Sequence, residues 1–298
     1  MFANYYGEIT ALLTAVFWTI TALSFEIAAK KVGTYSLNII RLGLAFILLS
    51  AFSFIRRDMI LPLDASMHAW LWLSLSGIIG FVIGDMFLFS AFALIGARIS
   101  MLIMTLVPPI TALISWLLLG ETMSLLNISG MLLVVSGISI TIWSKQNGNE
   151  KFKLNFPIKG LLFALLGAVG QAGGLVLSKF GMKDYDPFAA TQIRIMAGFA
   201  GFAIIITIIG RWKFVKQTFS DKIAMTGISI GSFFGPFLGV SFSLIAIQYT
   251  NTGIAATLMS IVPILIIPPA VLIFKQKVSV KEIIGVTISV GGVALFFI

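Results

Sequence analysis

Four ionisable residues, Glu26, Arg41, Asp85 and Arg194, stand inside long apolar runs, and Lys179 stands at the edge of another. On insertion scales an ionisable side chain in a membrane interior costs roughly 2.5–3.5 kcal/mol, so each one found there is a candidate for chemistry. Asp85 lies between Gly84 and Met86 with no cation near it in sequence. A carboxylate so placed suits proton coupling or capture of a substrate ammonium group. The competing assignment is a helix–helix hydrogen bond, or a pair with one of the arginines.

Glu26 and Arg41 flank a turn near Gly33-Thr34, each about seven residues from it, which puts them at similar depth, roughly 10 Å in. An intramembrane ion pair between them is the expected arrangement. Lys179 and Arg194 flank a second turn, near Asp186-Pro187, and there both charges are positive. Two cations at one depth call for an anion. Either Asp184 or Asp186 folds back to supply it, or a substrate carboxylate or phosphate does, held by Arg in bidentate fashion. Trp18 and Gln171 sit near the middle of their runs, where an aromatic plate and an amide could face an amphipathic metabolite across a cavity. The alternative for Trp18 is packing or lipid contact, although such residues concentrate at membrane interfaces.

The elements that must hold these residues follow from composition. The 298 residues are 59% hydrophobic and 10% charged, whereas soluble domains carry roughly 25% charged residues. This excludes a water-soluble fold and predicts an all-α integral membrane protein. Windows of about 20 apolar residues predict ten transmembrane helices at approximately 9–29, 35–55, 69–93, 99–119, 125–143, 160–178, 188–210, 223–247, 254–274 and 282–298. The first lacks a basic leader and a small-residue cleavage site, so it reads as a retained helix. The absence of Cys removes disulfides, thiolate metal sites and a thiol nucleophile. No GxxxxGK[ST] or HExxH pattern occurs, and His68, in a loop, is the one histidine. No cofactor, metal site or enzyme activity is expected. The net charge of +9 reads as basic loops at the bilayer and not as a nucleic-acid surface.

The chain repeats itself. A shift of 153 residues carries Gly7, Ala11, Lys30 and Arg41 onto Gly160, Ala164, Lys183 and Arg194. A shift of 155 carries Gly80, Gly84 and Phe87 onto Gly235, Gly239 and Phe242, and Val107-Pro108 onto Val262-Pro263. The units are residues 1–144 and 160–298, joined by a hydrophilic linker, 145–159. Each holds five spans, an odd number, so the second must sit upside down relative to the first. Two inverted five-helix repeats around a central cavity are a recurring transporter build. Gly77, Gly80 and Gly84, and likewise Gly231, Gly235 and Gly239, put small residues on one helix face for close packing. Pro108, Pro236 and Pro263 are expected to break or bend their helices. Interrupted helices at corresponding positions of two halves point to a transport site.

On these residues the sequence resembles the EamA-type transporters of the drug/metabolite transporter superfamily. The resemblance rests on Ala15-Val16-Phe17-Trp18, Arg41, the Gly-rich third span, Ala93 to Arg98 leading into Leu106-Val107-Pro108, and Leu119-Gly120-Glu121 before Gly130. The second copy departs where Gly-Glu becomes Lys275-Gln276 and where Gln171 matches Trp18. The resemblance implies ten helices, a central cavity and export or exchange of amino acids, other small metabolites or drugs. It also implies cytoplasmic termini. Loop charge argues the reverse: fourteen Lys and Arg lie in loops on the far side, against Arg56, Arg57, Lys179 and Lys183 on the side of the chain ends.

The expectation is a secondary-active transporter of a small amphipathic or zwitterionic metabolite in the plasma (inner) membrane. Protons are a candidate coupling ion and membrane lipid the surrounding partner. Spans one, three, four, six, eight and nine are expected to line the cavity, with Glu121 a structural residue at a helix end. Two alternatives are a flippase for a lipid-linked small molecule, with a lateral opening, and a receptor or assembly subunit that lacks a solvated cavity. The substrate, the direction of movement and the oligomeric state are not legible in the residues.

Overall fold

The computed structural model describes residues 5–144, 157–272 and 279–298, and every regular element among them is helical. The chain runs as α1 (Tyr6–Arg57), α2 (Met67–Gly77), α3 (Asp85–Met104), α4 (Val107–Leu119), α5 (Leu125–Ser144), α6 (Ile158–Met182) and α7 (Pro187–Ile208). It continues as α8 (Trp212–Thr218), α9 (Lys222–Ser232), α10 (Val240–Tyr249), α11 (Thr252–Met259), α12 (Val262–Leu265), α13 (Ile267–Leu272) and α14 (Val280–Ala294). Among the described residues eight helical stretches are long and apolar enough to cross a membrane, and Val107–Leu119 and Leu125–Thr141 are shorter apolar helices. Most of the linker, 145–156, and the departure at Lys275-Gln276 lie outside the described residues.

α1 is two spans, Tyr6–Phe25 and Lys31–Arg57, divided where Gly33 adopts φ 73° and ψ 170°. That region is open to glycine and essentially closed to residues with a Cβ, so the turn is written into one position. Asp186, whose side chain accepts a hydrogen bond from Ala189 N at 2.9 Å, and Pro187 start α7 in the ordinary way.

Two membrane helices change their winding at related places. α2 passes into α3 through a π-helical segment, Ile78–Gly84, and α9 passes into α10 through another, Phe233–Gly239, 155 residues later. Pro236 falls inside the second, so the expected interruption there takes the form of a π-helical turn. The first has no proline at all. Two further interruptions recur at the same offset, at Thr105-Leu106 before α4 and at Ser260-Ile261 before α12. Pro108 and Pro263 sit just inside the helices that follow, where a missing N–H costs little. The sequence places a connection near 94–98, but the described backbone is helical from Asp85 to Met104 and the break comes at 105–106. The physical cause is that Pro108 and Pro109 cannot donate to the carbonyls of Met104 and Thr105.

Glycines set the helix seams. α2, the π segment and α3 run antiparallel along α6: Gly181 meets Trp72, Gly174 meets Gly80, Gly170 meets Gly84 and Gly160 meets Ile95. The hydroxyl of Ser76 donates across this seam to Gly174 O at 2.6 Å. α9, its π segment and α10 run antiparallel along α1 in the same register, with Gly227 on Ser24, Gly235 on Thr21 and Gly239 on Trp18. A third seam joins α5 to α14, where Gly130 meets Gly292 and Gly137 meets Gly285. At these contacts a Cβ on Gly174 would stand 2.8 Å from Gly80 Cα, so only glycine admits the approach.

The outer surface is apolar. Ile47, Leu113, Trp116, Leu117, Leu132 and Ile204 are each more than half exposed, the pattern of a lipid-facing belt. Many buried hydroxyls are satisfied within their own helices: Thr14 donates to Thr10 O at 2.9 Å and Ser241 to Phe237 O at 2.6 Å. Such back-bonding lets polar residues enter an interior without an orphaned group.

Candidate functional site

A cavity of about 340 Å³ lies between the helices. Its walls include Trp18 and Thr21 of α1, Phe81 of the first π segment, Gln171 and Leu175 of α6, and Gly235 and Pro236 of the second π segment. The breaks contribute Met104, Thr105 and Val107 on one side and Met259, Ser260, Val262 and Pro263 on the other. The π turns and proline breaks therefore converge on the cavity. The expected set of lining spans is enlarged by Arg41, Ile138 and Arg194 from the second, fifth and seventh.

Asp85 begins α3 directly after the π segment and is 7% exposed. Arg41 donates to its Oδ2 in an ion pair, and Gln171 Nε2 donates to its Oδ1 at 2.7 Å. Gln171 also reaches Gly80 O at 3.4 Å. Both carboxylate oxygens are thus held by protein. Arg41 therefore takes Asp85 as a partner across 44 residues of sequence, and the Glu26 side chain expected there lies outside the described residues. The Arg41 guanidinium also stands 5.6 Å from the Phe25 ring centroid.

Arg194, in the middle of α7, lines the same cavity and is 5% exposed. Among the described residues it makes no ion pair, and its Nε has no hydrogen-bond partner. Its guanidinium carbon lies 4.9 Å from the Phe81 ring centroid, a cation–π contact. Glycines clear its path. Gly77 packs on the Arg194 backbone, and a Cβ on Gly80 would stand 3.3 Å from Nη2.

Lys179 does not line this cavity. Its Nζ meets Glu121 Oε1 at 2.5 Å and donates to Thr250 O at 2.7 Å. The anion sought for it near Asp184 or Asp186 comes instead from the far unit, because Asp186 is taken by Arg56 at 2.7 Å. Glu121 Oε2 accepts the backbone N–H of Thr252 at 2.7 Å, at the start of α11. Thr250 Oγ1 lies 2.6 Å from Glu8 Oε1 and donates to it. These contacts gather at the end of the bundle that carries both chain ends, where the Tyr5 and Phe297 rings lie 5.3 Å apart, tilted by 49°. Glu121, Lys179, Thr250 and Glu8 form a polar latch between the two repeating units. Glu121 follows Leu119-Gly120 in the sequence, but nothing in the residue pattern points from it to Lys179. His68 is not free in a loop either: its Nε2 lies 3.0 Å from Phe180 O.

The two remaining sequence candidates lie on one cavity wall or another. Trp18 and Gln171 both line the cavity. Gly84 and Gly239 secure their helices, a Cβ on Gly84 falling 3.3 Å from Gln171 N and one on Gly239 falling 2.7 Å from the Trp18 ring. Gly231 packs on the Phe25 ring and Pro108 is buried at the start of α4.

The model of the EamA-like transporter family matches the chain twice, over residues 5–143 and 158–298. A solved crystal structure is similar over 98% of this chain and 96% of its own, with a TM-score of 0.79 at 18% identity, a likeness of fold. No curated protein matches the sequence.

Proposed function

The chain belongs to the EamA-like transporter family, and we propose on that basis that it is a secondary-active transporter in the plasma (inner) membrane. It moves a small amphipathic or zwitterionic metabolite, such as an amino acid, by alternating access between two inverted five-helix halves. The observation that carries this reading is the cavity itself, walled by both repeating units and bordered by their matched π turns and proline breaks. Such interruptions are where transporter sites form.

The glycine seams support the inverted arrangement. Gly130 on Gly292 and Gly137 on Gly285 make a self-complementary contact, since a shift of 155 turns each pair into the other. The α6 and α1 seams repeat one register in the same way. Trp18 and Gln171 receive the substrate body, Arg194 an anionic group, and Asp85 the coupling proton. The latch at Glu121 and Lys179 closes the cavity at the end of the chain termini and opens in each cycle.

The test is uptake into proteoliposomes of a panel of labelled amino acids and small organic acids, with and without an imposed proton gradient. Gradient-dependent movement of a panel member is expected. If none moves under either condition, transport by this chain is refuted.

A further inference from the structure

Among the described residues the cavity lining carries an uncompensated positive charge, and the way it arises points to a ligand. The ionisable residues of that described lining are Arg41, Asp85 and Arg194. Arg41 and Arg194 are repeat-related, 153 residues apart. In the first unit the arginine has its carboxylate, Asp85. In the second the position equivalent to Asp85, 155 residues on, is Val240, which lines the same cavity. The second arginine is therefore built like the first but with its anion deleted.

The geometry keeps that vacancy usable. The Phe81 face fixes one side of the Arg194 guanidinium, and a stacked guanidinium keeps its N–H edges available in the fork that matches a carboxylate. Arg194 Nε is buried without a partner. The walls nearby are apolar: Trp18, Phe81, Leu175, Met259 and Pro263. Asp85 cannot offer a second charged subsite, because Arg41 and Gln171 hold both of its oxygens.

We propose that the cavity takes an apolar monocarboxylate, its carboxylate seated on Arg194 in the place of the missing acid and its body against Trp18 and Met259. This rests on the reading of the cavity as the substrate site and narrows it. The ligand is a net anion, preferred over the zwitterion or cation with the same apolar body.

The experiment uses the purified full chain in detergent and four probes with a common phenyl body: phenylacetate, phenylalanine, phenethylamine and phenethyl alcohol. Binding is read by thermal shift and by tryptophan fluorescence. Phenylacetate is expected to bind about tenfold or more tightly than the alcohol, the scale of one charge-assisted bidentate contact, with phenylalanine weaker than phenylacetate and phenethylamine weakest. Arg194→Gln removes the difference between acid and alcohol, and its thermal transition without probe reports that the variant is folded. Arg194→Lys retains part of the difference. The proposal is overturned if no probe binds, if phenylalanine or phenethylamine matches phenylacetate, or if the acid preference survives in Arg194→Gln. Uptake of the same probes into liposomes separates this from the transport reading. Acid-selective binding without uptake sinks transport alone, and uptake indifferent to charge sinks the anion site alone.

Discussion

Replacing Glu121 by Gln tests the latch with little change of shape. The amide can still accept the Thr252 N–H that Glu121 Oε2 holds at 2.7 Å, so the start of α11 keeps its cap and the charge alone is lost. Lys179 is then left with Thr250 O as its remaining partner. Exposed pairs are worth up to about 1 kcal/mol, and removing one partner of a buried pair costs roughly 3–5 kcal/mol. The side chains here are 12% exposed for Glu121 and 23% for Lys179, which places the loss at about 2 kcal/mol. That corresponds to roughly a thirtyfold shift in the ratio of closed to open forms at this end. The absence of Cys provides the assay. Ser260→Cys puts one thiol in the cavity lining, and its rate of modification by a membrane-impermeant reagent is measured from each face of proteoliposomes. Modification from the face of the chain ends should rise by up to about thirtyfold in Glu121→Gln. Adding Lys179→Met should lower stability less than Glu121→Gln alone, because no unpaired ammonium remains. An unchanged rate in Glu121→Gln, or a rise confined to the opposite face, refutes the latch.

Three other outcomes follow from the geometry. Gly292→Ala puts a Cβ 2.8 Å from Gly130 O and should lower stability by about 1–3 kcal/mol, whereas Gly291→Ala meets nothing within 4 Å and should be neutral or slightly stabilising; thermal unfolding in detergent compares them. Asp85→Asn should flatten the pH dependence of uptake in proteoliposomes, and an unaltered profile would remove Asp85 from coupling. In the loop before α7, burial pushes the Tyr185 hydroxyl up to about 12, helped by its hydrogen bond to Asp64 at 2.9 Å and opposed by Arg57. A folded value raised above the unfolded one contributes stability that is complete below about pH 10 and is lost as pH rises through about 12. Ultraviolet titration of wild type minus Tyr185→Phe should show that phenol ionising near the upper value.

The parts of the fold that were readable are those that act locally. Apolar runs need no partner to be recognised, and neither does Gly33, whose neighbours are charged and whose backbone must turn. The π segments were not readable from proline, since Ile78–Gly84 has none; their shared signal was glycine at matched offsets. Partnerships between distant residues were the harder matter. Arg41 was assigned to Glu26 because a hairpin makes their depth calculable from the chain alone. Asp85 is 44 residues away and reaches Arg41 only through packing of α3 on its neighbours. Lys179 to Glu121 is longer still, and that bond joins the last turn of α6 to the connection between α4 and α5, whose approach no periodicity encodes.

Framework and charge obey different rules along this chain. Many of the glycines, the Pro108/Pro263 pair and the helix breaks recur at offsets of 153 or 155 residues, which is what two halves that exchange roles would require. The charges recur only in part: Lys30 and Arg41 are matched by Lys183 and Arg194, but Asp85 faces Val240, Glu121 faces Gln276, Glu8 faces Leu161 and Lys179 faces Glu26 at equivalent positions. On the proposed alternating-access reading such a frame has two arrangements of similar packing, and the unpaired differences between the halves decide how unequal their energies are. In the described form the Glu121–Lys179 bond is made at the end of the chain termini, and on that reading it favours closure there. A ligand shifts such a balance only by binding the two arrangements unequally. Arg194 is the one arginine of the repeat-related pair without a protein carboxylate among the described residues. An anion seated there changes the charge balance next to the Arg41–Asp85 pair, whose carboxylate is the group proposed for coupling. Substrate and proton would then act on one electrostatic cluster, and coupling between them needs no longer path than the width of the cavity.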